Sequence, residues 1–270
     1  MMNYRNVLND AKLILKKSSI LTAELDAEIL LSISLKEKRE KILLNLENRI
    51  SSEQLCNFYK LVDIRKKKVP ISIIAGKKSF WKSDFIVNRD VLTPRFETEL
   101  LVEKVLKINN KSTKINVLDI GIGSGCILIS LLQDRKNWRG TGIDPSKEAI
   151  KIAKINAKIQ QVYDRIHFIN SNIDNFIGGK YDLIVSNPPY INKIGYSNLD
   201  KSVKEYEPRM ALRCGGTSRG APRGGRRAGP RPARRGGRRW RGPWPPWRAG
   251  DRGGRRRAAP PRCRPRCRAR

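Results

Sequence analysis

The chain has 270 residues, 39% hydrophobic and 30% charged, with a formal net charge of +32. That length supports one large domain or two small ones with a real core, and that charge alone suggests a nucleic-acid partner. No apolar stretch follows a basic start, and the most apolar window, residues 115–132, is broken by Asp119 and several glycines, so a secretory signal and a membrane span are excluded and a cytoplasmic, monomeric protein is expected.

The elements read in chain order as follows. Over the first 65 or so residues, Val7, Leu8, Ala11, Ile14 and Leu15 recur at helical spacing, as do Leu25, Ile29, Leu30 and Ile33. Ser51 and Gln54 have the spacing of a capping box ahead of Leu55, Phe58, Tyr59 and Val62. These stripes predict a small helical bundle over residues 1–69, closed by the charged run 65–68 and Pro70. Residues 71–92 alternate through Ile71, Ile73, Phe80, Phe85, Val87 and Val91, which predicts short strands or a hairpin as a linker over 70–92. From Thr93 the pattern becomes strand–helix alternation. Helices are predicted over 97–108, 126–133 and 145–157, and strands over 115–120, 140–143, 166–169 and 181–186. The fold class is therefore α/β, a Rossmann-like parallel sheet with helices on both faces over 93–213, with ligands expected beyond the carboxyl ends of the strands.

Residues 214–270 differ in kind. They contain no Leu, Ile, Val, Phe, Lys, Asn or Glu, and 20 arginines against Asp251 place +19 of the net charge there. No periodic apolar pattern supports a strand or a core, so a disordered tail is expected. The change from residues with A/T-rich codons to Arg, Gly, Pro and Ala suggests a frameshifted or chimeric reading frame. A sheet left incomplete in this way is expected to fold poorly or be inactive. The cysteines Cys56, Cys126, Cys214, Cys263 and Cys267 show no disulfide framework, and Cys263 with Cys267 has no second pair, so no metal is expected.

Three motifs carry chemistry. Val117 to Ile120 runs into Gly121-Ile122-Gly123-Ser124-Gly125, a glycine turn opening a helix. A dinucleotide fingerprint places its third glycine one position later, where Cys126 stands, so this spacing favours S-adenosyl-L-methionine over NAD. Asp144 ends the second strand and can accept hydrogen bonds from a ribose diol, or else cap the helix that follows. Asn187-Pro188-Pro189-Tyr190 follows the fourth strand. The Asn187 side-chain oxygen and the Pro188 carbonyl can accept from an NH₂ group and aim its nitrogen, the prolines stiffen the loop, and Tyr190 can stack on a flat target. Asn187, Pro188 and Tyr190 are the expected catalytic set.

These residues resemble the HemK/PrmC family of release-factor glutamine methyltransferases. The likeness spans residues 1 to about 212, through Thr93-Pro94-Arg95-Phe96-Glu97-Thr98-Glu99, the glycine turn, Ser186 to Tyr190, and Val203 to Leu212. It implies a helical domain that docks a release factor, a seven-stranded methyltransferase domain, and a glutamine target within Gly-Gly-Gln. By position it implies that Gly121, Ile122, Gly123, Ser124, Gly125, Asp144, Ile173 and Asn187 bind the cofactor, and that Asn187, Pro188, Pro189 and Tyr190 bind substrate. Asn172 stands where many relatives have Asp, and Phe96 where they have a small residue or Pro. Two other readings stay open: an adenine-N6 nucleic-acid methyltransferase using the same tetrapeptide, and a non-catalytic RNA binder acting through the tail.

Overall fold

The computed structural model describes residues 2–109 and 113–212. The expectations for residues 214–270, including the disordered tail and the Cys263/Cys267 pair, lie outside the described residues.

Four helices open the chain: α1 (Tyr4–Lys17), α2 (Ala23–Leu35), α3 (Arg39–Leu44) and α4 (Ser52–Lys66). Asn3 caps α1 through Asn6 N–H, and Ser51 with Gln54 forms the expected reciprocal capping box on α4. Val7, Ala11, Leu15, Leu30, Leu31, Phe58 and Val62 share one buried cluster. The stripe expected on α2 is rotated. Leu25 is exposed, and Ala23, Asp26 and Ala27 turn inward instead. The physical reason is Asp26, whose carboxylate accepts from Arg65 Nε at 2.7 Å and must face α4, while Arg65 also donates to the Val69 carbonyl at 3.0 Å. A buried carboxylate is tolerated where it is paired and hydrogen-bonded in this way.

Residues 71–75 correct the strand expectation. Ile71–Ala75 is a short helix, α5, ended by Gly76 at φ 68°. Ile71 and Ile74 pack on the helical core, and that contact overrides the β preference of the isoleucines. The hairpin follows as β1 (Lys77–Phe80) and β2 (Ser83–Ile86), with Phe80 and Phe85 buried edge to face in the second core.

The second core belongs to a parallel sheet. After α6 (Phe96–Ile108) come β3 (Asn116–Ile120), α7 (Cys126–Asp134), β4 (Arg139–Asp144), α8 (Lys147–Ile159), β5 (Ile166–Asn170) and β6 (Leu183–Ser186). The strands are all parallel in the order β5-β4-β3-β6, so the strand order reverses at β3, where β6 is added on its other side, and a crevice opens at the carboxyl ends of β3 and β6. α8 begins two residues later than expected, because the Ser146 hydroxyl caps it through Ala149 N–H. Three short helices, α9 (Lys193–Ser197), α10 (Lys201–Tyr206) and α11 (Arg209–Leu212), complete the described residues. Among these, no helix is long and apolar enough to cross a membrane.

Candidate active site

Strand register gathers the motifs. Ile120 lies opposite Ile143 on one side and Ser186 on the other. Gly121, Asp144 and Asn187 are each the next residue along, so three parallel strands deliver them to one rim. Gly121 and Ile122 both donate their N–H to the Ile143 carbonyl, at 2.9 and 3.0 Å, folding the turn over the end of β4. Gly121 and Gly123 take φ of 76° and 54°; a Cβ at Gly121 would meet nothing within 4 Å and one at Gly123 only the Gly121 carbonyl oxygen at 3.9 Å, which leaves their backbone bare to a ligand.

Two cavities meet at this rim. The smaller, about 340 Å³, is lined by Gly121 to Ser124, Cys126, Asp144, Asn172 and Ile173 together with Asn187, Pro188 and Pro189. The larger, about 610 Å³, is lined by Asn187, Pro188 and Tyr190 with residues of α6, α10 and α11. Ser186, Asn187 and Pro188 line both, as do Arg95 and Thr98. The smaller cavity offers an apolar bed, a carboxylate and bare turn backbone, and these suit the adenosine and amino-acid parts of S-adenosylmethionine. Gly125 is the exception among the expected cofactor contacts. It does not line the cavity, and a Cβ there would stand 2.6 Å from Ile129 Cδ1, so this glycine allows α7 to pack. Pro189 lines the smaller cavity, next to Asn187 and Pro188, which line both.

Asp144 does two jobs. Its Oδ2 accepts from Gly123 N–H at 3.0 Å and its Oδ1 from Ser146 N–H at 2.9 Å. Each oxygen retains a second lone pair, so a diol can still be received. Burial raises its pKa, against the pull of those two N–H groups. Asp119 lies deeper, in β3. Burial pushes its carboxyl up to about 7; the Leu128 N–H opposes this without making a full hydrogen bond, and the Asp144 charge adds to it. Neither Asp119 oxygen has a partner among the described residues. Burial likewise pushes the Cys126 thiol up to about 12, which disqualifies it as a nucleophile at neutral pH.

Supporting residues fasten the site from behind, and of these Asn156 carried no signal of its own in the sequence. Asn156, buried in α8, accepts from Ile86 N–H at 2.7 Å and donates to the Ile86 and Ser124 carbonyls at 3.0 and 2.8 Å, tying hairpin and glycine turn to one helix. Arg95 Nη2 donates to Glu207 Oε2 at 2.6 Å, and the Glu207 side chain is only 3% exposed. Burial raises the Glu207 pKa and the Arg95 charge opposes it. Glu99 Oε1 accepts from Trp81 N–H at 3.0 Å. The polar residues of the 93–99 run thus fasten α6 to the hairpin on one side and to the segment before α11 on the other. Among the described residues, no group of three or more His, Cys, Asp or Glu could hold a metal ion.

A parallel α/β sheet in this order, with a glycine turn and an Asn-Pro-Pro-Tyr loop at its switch point, defines a Rossmann-like methyltransferase that uses S-adenosylmethionine. Residues 96–205 match the methyltransferase small domain and residues 6–76 the PrmC N-terminal domain. The chain is 36% identical over 199 residues to a release factor glutamine methyltransferase of Caulobacter vibrioides, covering 73% of this chain and 69% of that protein. It is 41% identical over 211 residues to one of Leptospira interrogans, covering 76% and 73%. With a bifunctional methyltransferase of Rickettsia conorii the identity is 36% over 233 residues, and the match covers 77% of this chain but 44% of that protein. The chain belongs to the HemK/PrmC family of release factor glutamine methyltransferases.

Proposed function

We propose that this chain transfers the methyl group of S-adenosylmethionine to the side-chain amide nitrogen of the glutamine in the Gly-Gly-Gln tripeptide of a peptide chain release factor. The observation that carries the reading is the position of Asn187 on the wall shared by the two cavities. When bound, S-adenosylmethionine supplies a sulfonium methyl whose carbon–sulfur bond breaks as the nitrogen–carbon bond forms, while the nitrogen sheds one proton to water. Gly121, Ile122, Gly123 and Ser124 receive the cofactor along their backbone, Asp144 takes its ribose, and Ile173 lies against its adenine. Gly125 contributes through the packing of α7. Asn187 Oδ1 and the Pro188 carbonyl accept from the substrate NH₂, and Tyr190, 77% exposed, covers the flat amide. The residues thus orient a weak nucleophile; alignment and electrostatics supply the acceleration.

Residues 1–69 dock the release factor, 70–92 link, and 93–213 carry the chemistry. The protein acts as a monomer in the cytoplasm, and nucleic acid is met only non-specifically, through the basic residues 214–270. Incubating the full chain with release factor and S-adenosylmethionine should add one methyl mass to the Gly-Gly-Gln peptide, and that product would overturn the expectation that an incomplete sheet leaves the chain inactive. Asn187→Ala should lower the rate by about 100- to 1000-fold, with a smaller loss of cofactor affinity because Asn187 also lines the cofactor cavity. Methylation of adenine in DNA or RNA, with the release factor left unmodified, overturns the reading in favour of a nucleic-acid enzyme.

A further inference from the structure

An asparagine side chain has two ends of nearly equal shape and opposite chemistry: an oxygen that accepts and an NH₂ that donates. Towards a substrate NH₂ only the oxygen is useful, since the flipped amide would set donor against donor. The Asn187 carboxamide must also be held at the place where a substrate NH₂ arrives, and a neighbour can hold it there. Asn187 Nδ2 lies 3.3 Å from Thr98 Oγ1 and donates to it. No described residue donates to Asn187 Oδ1, which leaves that oxygen for a ligand.

From this geometry we propose that Thr98 is a positioning residue that tethers the Asn187 carboxamide at the wall between the two cavities; a hydroxyl both donates and accepts, so the tether fixes where the group lies and the substrate NH₂ selects the end that faces it. The inference rests on the role given to Asn187 above. Thr98 lines both cavities beside Asn187, in the first turn of α6. Its own N–H donates to the Arg95 carbonyl at 3.0 Å, and its β-branch restricts the side chain to few rotamers. Its neighbours are anchored in turn, Arg95 to Glu207 and Glu99 to the Trp81 N–H, so the hydroxyl is held from both flanks. Thr98 therefore acts through Asn187 and not on the substrate.

The test compares Thr98→Val, which keeps the shape and removes the hydroxyl, with Thr98→Ser, which restores it. In the full chain, Thr98→Val should lower kcat for release factor by at least about tenfold with KM for S-adenosylmethionine unchanged, and Thr98→Ser should stay within about threefold of the parent. Added to Asn187→Ala, Thr98→Val should cost nothing further, because the two act as one unit. Additive losses, or a Thr98→Val enzyme that keeps its kcat while Asn187→Ala loses it, overturn the positioning role alone. An Asn187→Ala enzyme with unchanged kcat overturns the site reading and this inference with it. A measurement independent of turnover follows the Asn187 side-chain amide by NMR in protein labelled with ¹⁵N-asparagine. Its signal should shift and exchange faster with solvent in Thr98→Val and stay in place in Thr98→Ser; a signal unmoved by Thr98→Val overturns the pairing.

Discussion

On the cofactor side of Asn187, Gly121 to Ser124 and Asp144 leave β3 and β4, with α7 and α8 packed beside them in one continuous core. On the amide side the scaffold is β6, four residues long, and the short helices α9 to α11. One pair of neighbours measures the contrast. Leu118 of β3 and Ile184 of β6 are register partners and share a face of the sheet, yet Leu118 is 4% exposed and Ile184 59%. Among the described residues β6 pairs only with β3. On the proposed reading the cofactor half draws its rigidity from burial, whereas the amide half depends on tethers: Thr98 to Asn187 and Arg95 to Glu207 from the start of α6, and Ile191 N–H to the Leu212 carbonyl of α11 at 3.3 Å. Cofactor binding and amide positioning should therefore respond separately to substitution.

The largest effect is expected on the cofactor side. Asp119 has a raised folded-state pKa of about 7, against about 3.9 in an unfolded chain. The folded form holds its proton longer, so below pH 4 ionisation of this residue costs nothing. As pH rises from 4 to 7 the unfolded state ionises first and stability falls; above 7 the loss is complete, up to about 4 kcal/mol. Asp119→Asn should flatten that decline, which urea midpoints between pH 4 and 8 will read. Parallel curves for the two proteins would show that the carboxyl is ionised in the fold after all.

Next in size, Asn156→Ala strands the Ile86 N–H and two carbonyls and should cost about 3 kcal/mol, with cofactor affinity falling alongside stability because the Ser124 anchor is lost. A stability loss without any change in cofactor affinity would separate α8 from the glycine turn. Glu207→Gln should cost less, about 1–2 kcal/mol, because Arg95 is 39% exposed and solvent can take over part of the lost charge partner. Its signature is a lower methyl-transfer rate at unchanged cofactor affinity; a parallel loss of both would dissolve the distinction between the two sides. Smallest of all, Ile184→Thr should shift stability by under about 0.5 kcal/mol, read from the urea midpoint. A large destabilisation would mean that this face is covered.

Much of the site could be read from residue patterns because its chemistry is carried by contiguous motifs. The glycine turn, Asp144 and the Asn187 tetrapeptide each follow a strand, and the parallel register brings them together. The supporting residues were less legible. Asn156 sits in an ordinary amphipathic helix, and its three hydrogen bonds go to positions 32 and 70 residues away. The Arg95–Glu207 pair spans 112 residues. Local spacing holds no information about such partners. The reading of residues 71–75 as extended and of Leu25 as buried went astray for a related reason. Isoleucine-rich segments satisfy either period, and the choice was made by tertiary packing and by the buried Asp26–Arg65 pair.

The partition formed by Ser186, Asn187 and Pro188 also constrains the kinetics. On the proposed reading donor and acceptor occupy separate chambers with a common wall, and the one thiol that lines the donor chamber among the described residues, Cys126, is too weakly acidic to carry the methyl in between. Both reactants must then be present before either product departs. Initial-rate plots at varied concentrations of the two should give intersecting lines, the mark of a ternary complex, and not the parallel lines of a double-displacement enzyme.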